Sequence, residues 1–136
     1  MKAVIDTNCL LSCIGKRSNY RNVFDAFLDS KFELCLSTEI LLEYEEKFDA
    51  FWGQAVTQNL LGVLLTAENA SLHDIFYYFQ LVQGDMDDNK FADTYLVSNA
   101  DYLVSNDKKL LALNQLEFPP MRVIQLENFS EIIDNL

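Results

Sequence analysis

Two short apolar runs, each followed closely by an acid, constrain this chain most: Ala3-Val4-Ile5 before Asp6, and Tyr102-Leu103-Val104 before Ser105-Asn106-Asp107. A continuous apolar run of that length suits a strand covered on both faces, and strands of that kind belong to parallel sheets. Between them lie amphipathic stretches. Tyr20, Val23, Phe24, Phe27 and Leu28 share one helical face, as do Ile40, Leu41, Tyr44, Phe48 and Phe51 behind a cap at Ser37 or Thr38. Val56, Leu60, Val63 and Leu64 repeat the spacing, and Phe91, Ala92, Tyr95 and Leu96 lie on a further helix. Further strands are expected at Phe32 to Leu36, Tyr77 to Val82 and Arg122 to Leu126, with a helix from Leu72 to Phe79 as the alternative for the second. A short helix should begin near Lys108, and one carrying Phe129, Ile132, Ile133 and Leu136 should close the chain. Strands alternating with helices imply an α/β fold: a three-layer α/β/α arrangement around a central parallel sheet.

Its 136 residues fit one domain, 1–136, able to bury its own core. With 4 glycines and 2 prolines there is little room for linker sequence, and abundant aromatics argue against disorder. Cys9, Cys13 and Cys35 are odd in number and sit in apolar runs, so they read as buried free thiols of a reducing compartment. No C-x-x-C is present and His73 is the only histidine, so zinc is not expected. Nothing near Met1 reads as a secretory signal and no apolar run is long enough for a membrane span, so a cytoplasmic location with no membrane partner is expected.

The charge poses a problem for any polyanion partner: 21 acids face 10 bases, a net charge of -11. The positions of the acids matter more than their number. Asp6 and Asp107 follow strands, and Asp87 and Asp88 begin a helix. Glu43 lies early in the helix that starts near Ser37. In a parallel α/β sheet all of these fall at the carboxyl rim, where functional groups collect. Each alone has a plain explanation. An aspartate after a strand often only caps a turn, one of the Asp87–Asp88 pair is expected to do so, and Glu39, Glu45, Glu46 and Asp49 share the helix of Glu43. Together they call for a cation, since two carboxylates ~4 Å apart repel by roughly 4 kcal/mol at an effective dielectric near 20. Mg²⁺ or Mn²⁺ suits all-oxygen ligands and can activate water for phosphodiester hydrolysis.

These segments resemble PIN domains, and among them the toxin components of prokaryotic toxin–antitoxin pairs, the VapC-like ribonucleases. The blocks are Val4-Ile5-Asp6-Thr7-Asn8, Ser37 to Glu46, Asp87-Asp88-Asn89-Lys90-Phe91 and Ala100 to Leu111, and the likeness runs from Lys2 to about Leu126. The resemblance implies a Rossmann-like sheet and a Mg²⁺- or Mn²⁺-dependent endoribonuclease whose catalytic, metal-holding acids are Asp6, Glu43, Asp88 and Asp107. Asn8 and Ser105 match polar positions lining the pocket. It favours Asp88 over Asp87, and leaves Asp93, one turn further on, as another acid. A protein antitoxin is an implied partner, and a homodimer is expected from the aromatics Tyr77, Tyr78, Phe51 and Trp52. Lys16, Arg17, Arg21 and Lys108, with Lys109, are the bases placed to meet an RNA backbone. Two rivals are a haloacid-dehalogenase-like phosphotransfer enzyme and a silent PIN-like RNA- or protein-binding module. The first wants a second aspartate two residues after Asp6, where Asn8 stands.

Overall fold

The computed structural model describes residues 1–136. Its strands are β1 (Lys2–Ile5), β2 (Glu33–Leu36), β3 (Ala70–Leu72), β4 (Tyr102–Val104) and β5 (Val123–Ile124). Its helices are α1 (Thr7–Ile14), α2 (Arg21–Leu28), α3 (Thr38–Trp52), α4 (Gln54–Thr66), α5 (Asn89–Ser98), α6 (Lys108–Leu111) and α7 (Leu126–Asp134). All strand pairings are parallel, in the order β3-β2-β1-β4-β5, and helices cover the sheet in a three-layer α/β/α sandwich.

Ala3, Val4 and Ile5 are fully buried in the middle of that sheet, as their unbroken apolar run requires. β1 pairs with β4 through Ala3–Tyr102, Val4–Leu103 and Ile5–Val104, so the two expected strands are neighbours in matched register. This pair is also the point where strand order reverses. From β1 the chain winds outward through β2 to β3, then returns to the other side of β1 as β4. Loops on either side of such a switch point part and leave a crevice beyond the strand ends.

Helix α3 begins where Ser37 accepts a hydrogen bond from the Ile40 amide, and it buries Ile40, Tyr44 and Phe48. The buried Tyr44 hydroxyl donates to the Ile5 carbonyl, tying this helix to the last residue of β1. Helix α5 packs across β1, β2 and β4.

Three expectations need correction. Residues Tyr77 to Val82 form no strand, and Leu72 to Phe79 no helix; the third strand is Ala70–Leu72. Phe76, Tyr77 and Tyr78 are exposed, so the aromatic richness that mimicked a strand is a surface feature. Thr7–Ile14 is helical, an element the apolar spacing does not predict, and it buries Cys9, Leu10 and Cys13. The last strand is only Val123–Ile124, because Leu126 already starts α7. The three cysteines are free and buried, as expected.

Candidate metal centre at the carboxyl rim

The end of β1 and the end of β4 are joined at the rim by hydrogen bonds. The Asp6 amide donates to the Val104 carbonyl at 2.9 Å, so the ladder extends one residue past β1 and fixes the Asp6 backbone. The buried Ser105 hydroxyl donates to Asp6 Oδ2 at 2.8 Å and accepts from the Asp107 amide at 3.0 Å. One serine thus links both acids. Asp107 also serves the humbler role open to it: its Oδ1 accepts from the Lys109 and Leu110 amides at 2.8 and 3.4 Å and caps α6. Asn8 and Asn106 line a cleft of about 240 Å³ together with Asp6 and Asp107. Asn106 Oδ1 is itself held by the Leu126 amide at 3.0 Å.

Glu43 approaches from α3. Its Oε2 accepts from the Thr7 hydroxyl, and its Oε1 pairs with Lys90 Nζ at 3.0 Å. Because Tyr44, the next residue, is fastened to Ile5, the helix cannot slide and Glu43 is held at the rim. Among the acids of that helix, it is Glu43 whose charge reaches Asp6.

Burial pushes the Asp6 carboxyl up; the Ser105 hydrogen bond opposes this, and the charges of Glu43 and Asp107 add to it. Asp88, on the turn that leads into α5, is pushed up to about 7, first by burial and then by the charges of Asp107, Asp85 and Asp6. Its Oδ2 is buried with no hydrogen-bond partner. An orphaned carboxylate oxygen among like charges is unstable unless a proton or a cation joins it. That donor set, all oxygen and partly buried, fits a hard divalent ion such as Mg²⁺ or Mn²⁺.

The neighbouring acids go elsewhere. Asp87 is exposed and lines a second cleft of about 390 Å³ beside Glu43 and Lys90. Asp93 is buried on α5, where its Oδ1 accepts from the Phe79 amide at 3.1 Å and fastens the segment before α5. Burial is the first cause of its raised pKa, and the charge that reaches it is that of Glu39. Lys16, Arg17 and Lys108 are exposed. Arg21 is not free: its guanidinium bonds Asp25 at 2.9 Å, donates to the Ile14 carbonyl and stacks over Phe24.

Sequence reasoning missed three contributors. Thr7 and Lys90 grip Glu43, and Asp85 adds charge beside Asp88 while meeting Lys109 Nζ at 3.6 Å. Their only sequence signal was proximity, Thr7 next to Asp6, and Asp85 and Lys90 flanking Asp88.

A three-layer parallel fold with acids gathered at its switch point defines the class of α/β domain. Within it, the PIN domain family profile matches residues 2–109, and the chain belongs to that family. Its fold is similar to a solved structure described as VapBC2 from Rickettsia felis bound to a DNA fragment from their promoter, at a TM-score of 0.61 and 19% identity, covering 92% of this chain and 98% of that one. A search of curated proteins finds no match. No helix of the chain is long and apolar enough to cross a membrane.

Proposed function

We propose that the chain is a divalent-metal-dependent endoribonuclease, with Asp6, Glu43, Asp88 and Asp107 holding the ion directly or through water. The observation that carries this reading is the orphaned Asp88 Oδ2 in a cluster of mutually repelling carboxylates. When bound, Mg²⁺ or Mn²⁺ supplies positive charge to a phosphoryl oxygen and lowers the pKa of water. The chain's own residues do the rest. Ser105 orients Asp6 and Asp107, Thr7 and Lys90 orient Glu43, and Asn8 at the cleft offers a polar contact to the scissile group. Lys16, Arg17 and Lys108 meet the RNA backbone outside the acids; Arg21 is left out of that set because its guanidinium is already bonded.

Membership of the PIN domain family and the fold likeness to the VapBC2 structure support a protein antitoxin as partner. A homodimer is also proposed, because Phe51, Tyr77 and Tyr78 are 70%, 65% and 57% exposed in the single chain. Light scattering at high concentration tests the dimer, and a monomer mass removes it. The enzymatic reading is tested by digestion of single-stranded RNA in Mn²⁺ and in chelator. Cleavage is expected only with metal, and equal cleavage in chelator would overturn the proposal.

A further inference from the structure

A second group of metal-ligating side chains lies on β2 and β3, apart from the acidic rim. Glu33 and Cys35 are two residues apart on β2 and therefore share a face of the sheet. Ser71 pairs with Cys35 in the register between β2 and β3. His73 prolongs the same edge, its amide donating to the Leu36 carbonyl at 2.8 Å, and the alternation carries its ring to the face of Ser71. There the side chains touch in series. The Ser71 hydroxyl donates to Glu33 Oε2 at 3.0 Å and lies 2.9 Å from His73 Nε2, while Cys35 Sγ lies 3.8 Å from Glu33 Oε2. One ligand atom each from Glu33, Cys35 and His73 falls within 4.8 Å of the others. His73 looked isolated because 37 residues separate it from Cys35, but parallel pairing of β2 with β3 brings them together.

We propose that Glu33, Cys35 and His73 form a binding site for a borderline divalent cation of the Zn²⁺ type. A thiolate, an imidazole and a carboxylate make a mixed donor set that favours Zn²⁺ over the hard ions suited to the all-oxygen rim. Tetrahedral Zn²⁺ holds such ligands roughly 3.3–3.8 Å apart, given bonds of about 2.0–2.3 Å. Cys35 is fixed in the core, so the half-buried Glu33 and His73 side chains are the ones that would adjust to that spacing. Binding releases the thiol proton to solvent, and water or the Ser71 hydroxyl completes the fourth position. The ion then clamps β2 to the segment that follows β3, on an edge of the sheet.

Co²⁺ is the probe, because a bound thiolate gives a sulfur-to-cobalt charge-transfer band in the near ultraviolet. The full chain carrying Asp6→Asn, which weakens the rim, is titrated with Co²⁺ and then with Zn²⁺. The site predicts one thiolate's worth of that band, tetrahedral visible absorption, and loss of both as Zn²⁺ displaces cobalt. Cys35→Ser should abolish the band although Cys9 and Cys13 remain. His73→Gln changes a half-buried side chain outside the strands, so it keeps the proposal testable even if Cys35→Ser does not fold. It should weaken Co²⁺ binding at least tenfold and remove the rise in melting temperature with Zn²⁺. No charge-transfer band at stoichiometric Co²⁺, or a band unchanged in the folded His73→Gln protein, overturns the site.

Discussion

Asp88 carries the sharpest consequence at the scale of single residues. Its carboxyl is pushed from 3.8 to about 7, so the folded protein holds a proton that the unfolded chain releases. A raised folded pKa means stability that is full below the unfolded value and lost as pH rises through the folded one. In chelator, the melting temperature of the wild type should therefore fall between about pH 4 and pH 7 by more than that of Asp88→Asn. Thermal melts across that range measure it, and parallel curves would contradict it.

Lys90 gives a second test. Replacing it with Met leaves Glu43 Oε1 half-buried without its cation beside Asp6, which should cost on the order of 2 kcal/mol without metal. The same variant should be stabilised more by Mn²⁺ than the parent is, because Mn²⁺ then restores the missing positive charge. Equal Mn²⁺ shifts in calorimetry would sink this account of Glu43. Asp6 and Asp107 could be read from sequence because a strand followed by an acid names its own place in a parallel sheet. Lys90, Thr7 and Asp85 could not. What they do depends on which chain segment faces them, and no periodicity reports that.

At the scale of elements, the rim depends on how α3 is fixed. Tyr44→Phe deletes the hydroxyl that holds the helix to the Ile5 carbonyl and leaves that buried acceptor unpaired, which should cost about 1–3 kcal/mol. Because Glu43 precedes Tyr44, the variant should also bind Mn²⁺ more weakly, measured by titration against a folded control. Unchanged stability and unchanged Mn²⁺ affinity would show that the bond positions nothing.

The interior strands and long amphipathic helices were legible because burial on two faces, or on one stripe, writes itself into residue periodicity. The edge strand Ala70–Leu72 was not, since only one neighbour covers it and its residues stay partly exposed. The segment Phe76–Phe79 misled for the opposite reason. Its aromatics carry strand propensity but face outward, and the Phe79 amide bonds the Asp93 side chain instead of a neighbouring strand. Helix α1 was hidden because Asp6-Thr7-Asn8 looks like a turn while Asp6 in fact stands at the helix cap.

At the scale of the whole molecule, the proposed polyanionic substrate has to be reconciled with the net charge of -11 and the switch-point crevice. With the acids around the proposed cation, a metal-loaded rim would attract what the metal-free rim repels. The measurement that bears on this most directly is single-stranded RNA digestion in Mn²⁺ by wild type, Asp6→Asn and Glu45→Gln, with each protein's fold checked by its melting curve. Glu45 is exposed on α3 and should be dispensable. The account predicts that Glu45→Gln cuts like the parent while Asp6→Asn, still folded, loses at least a hundredfold in rate. An Asp6→Asn protein that cuts as fast as wild type would contradict it.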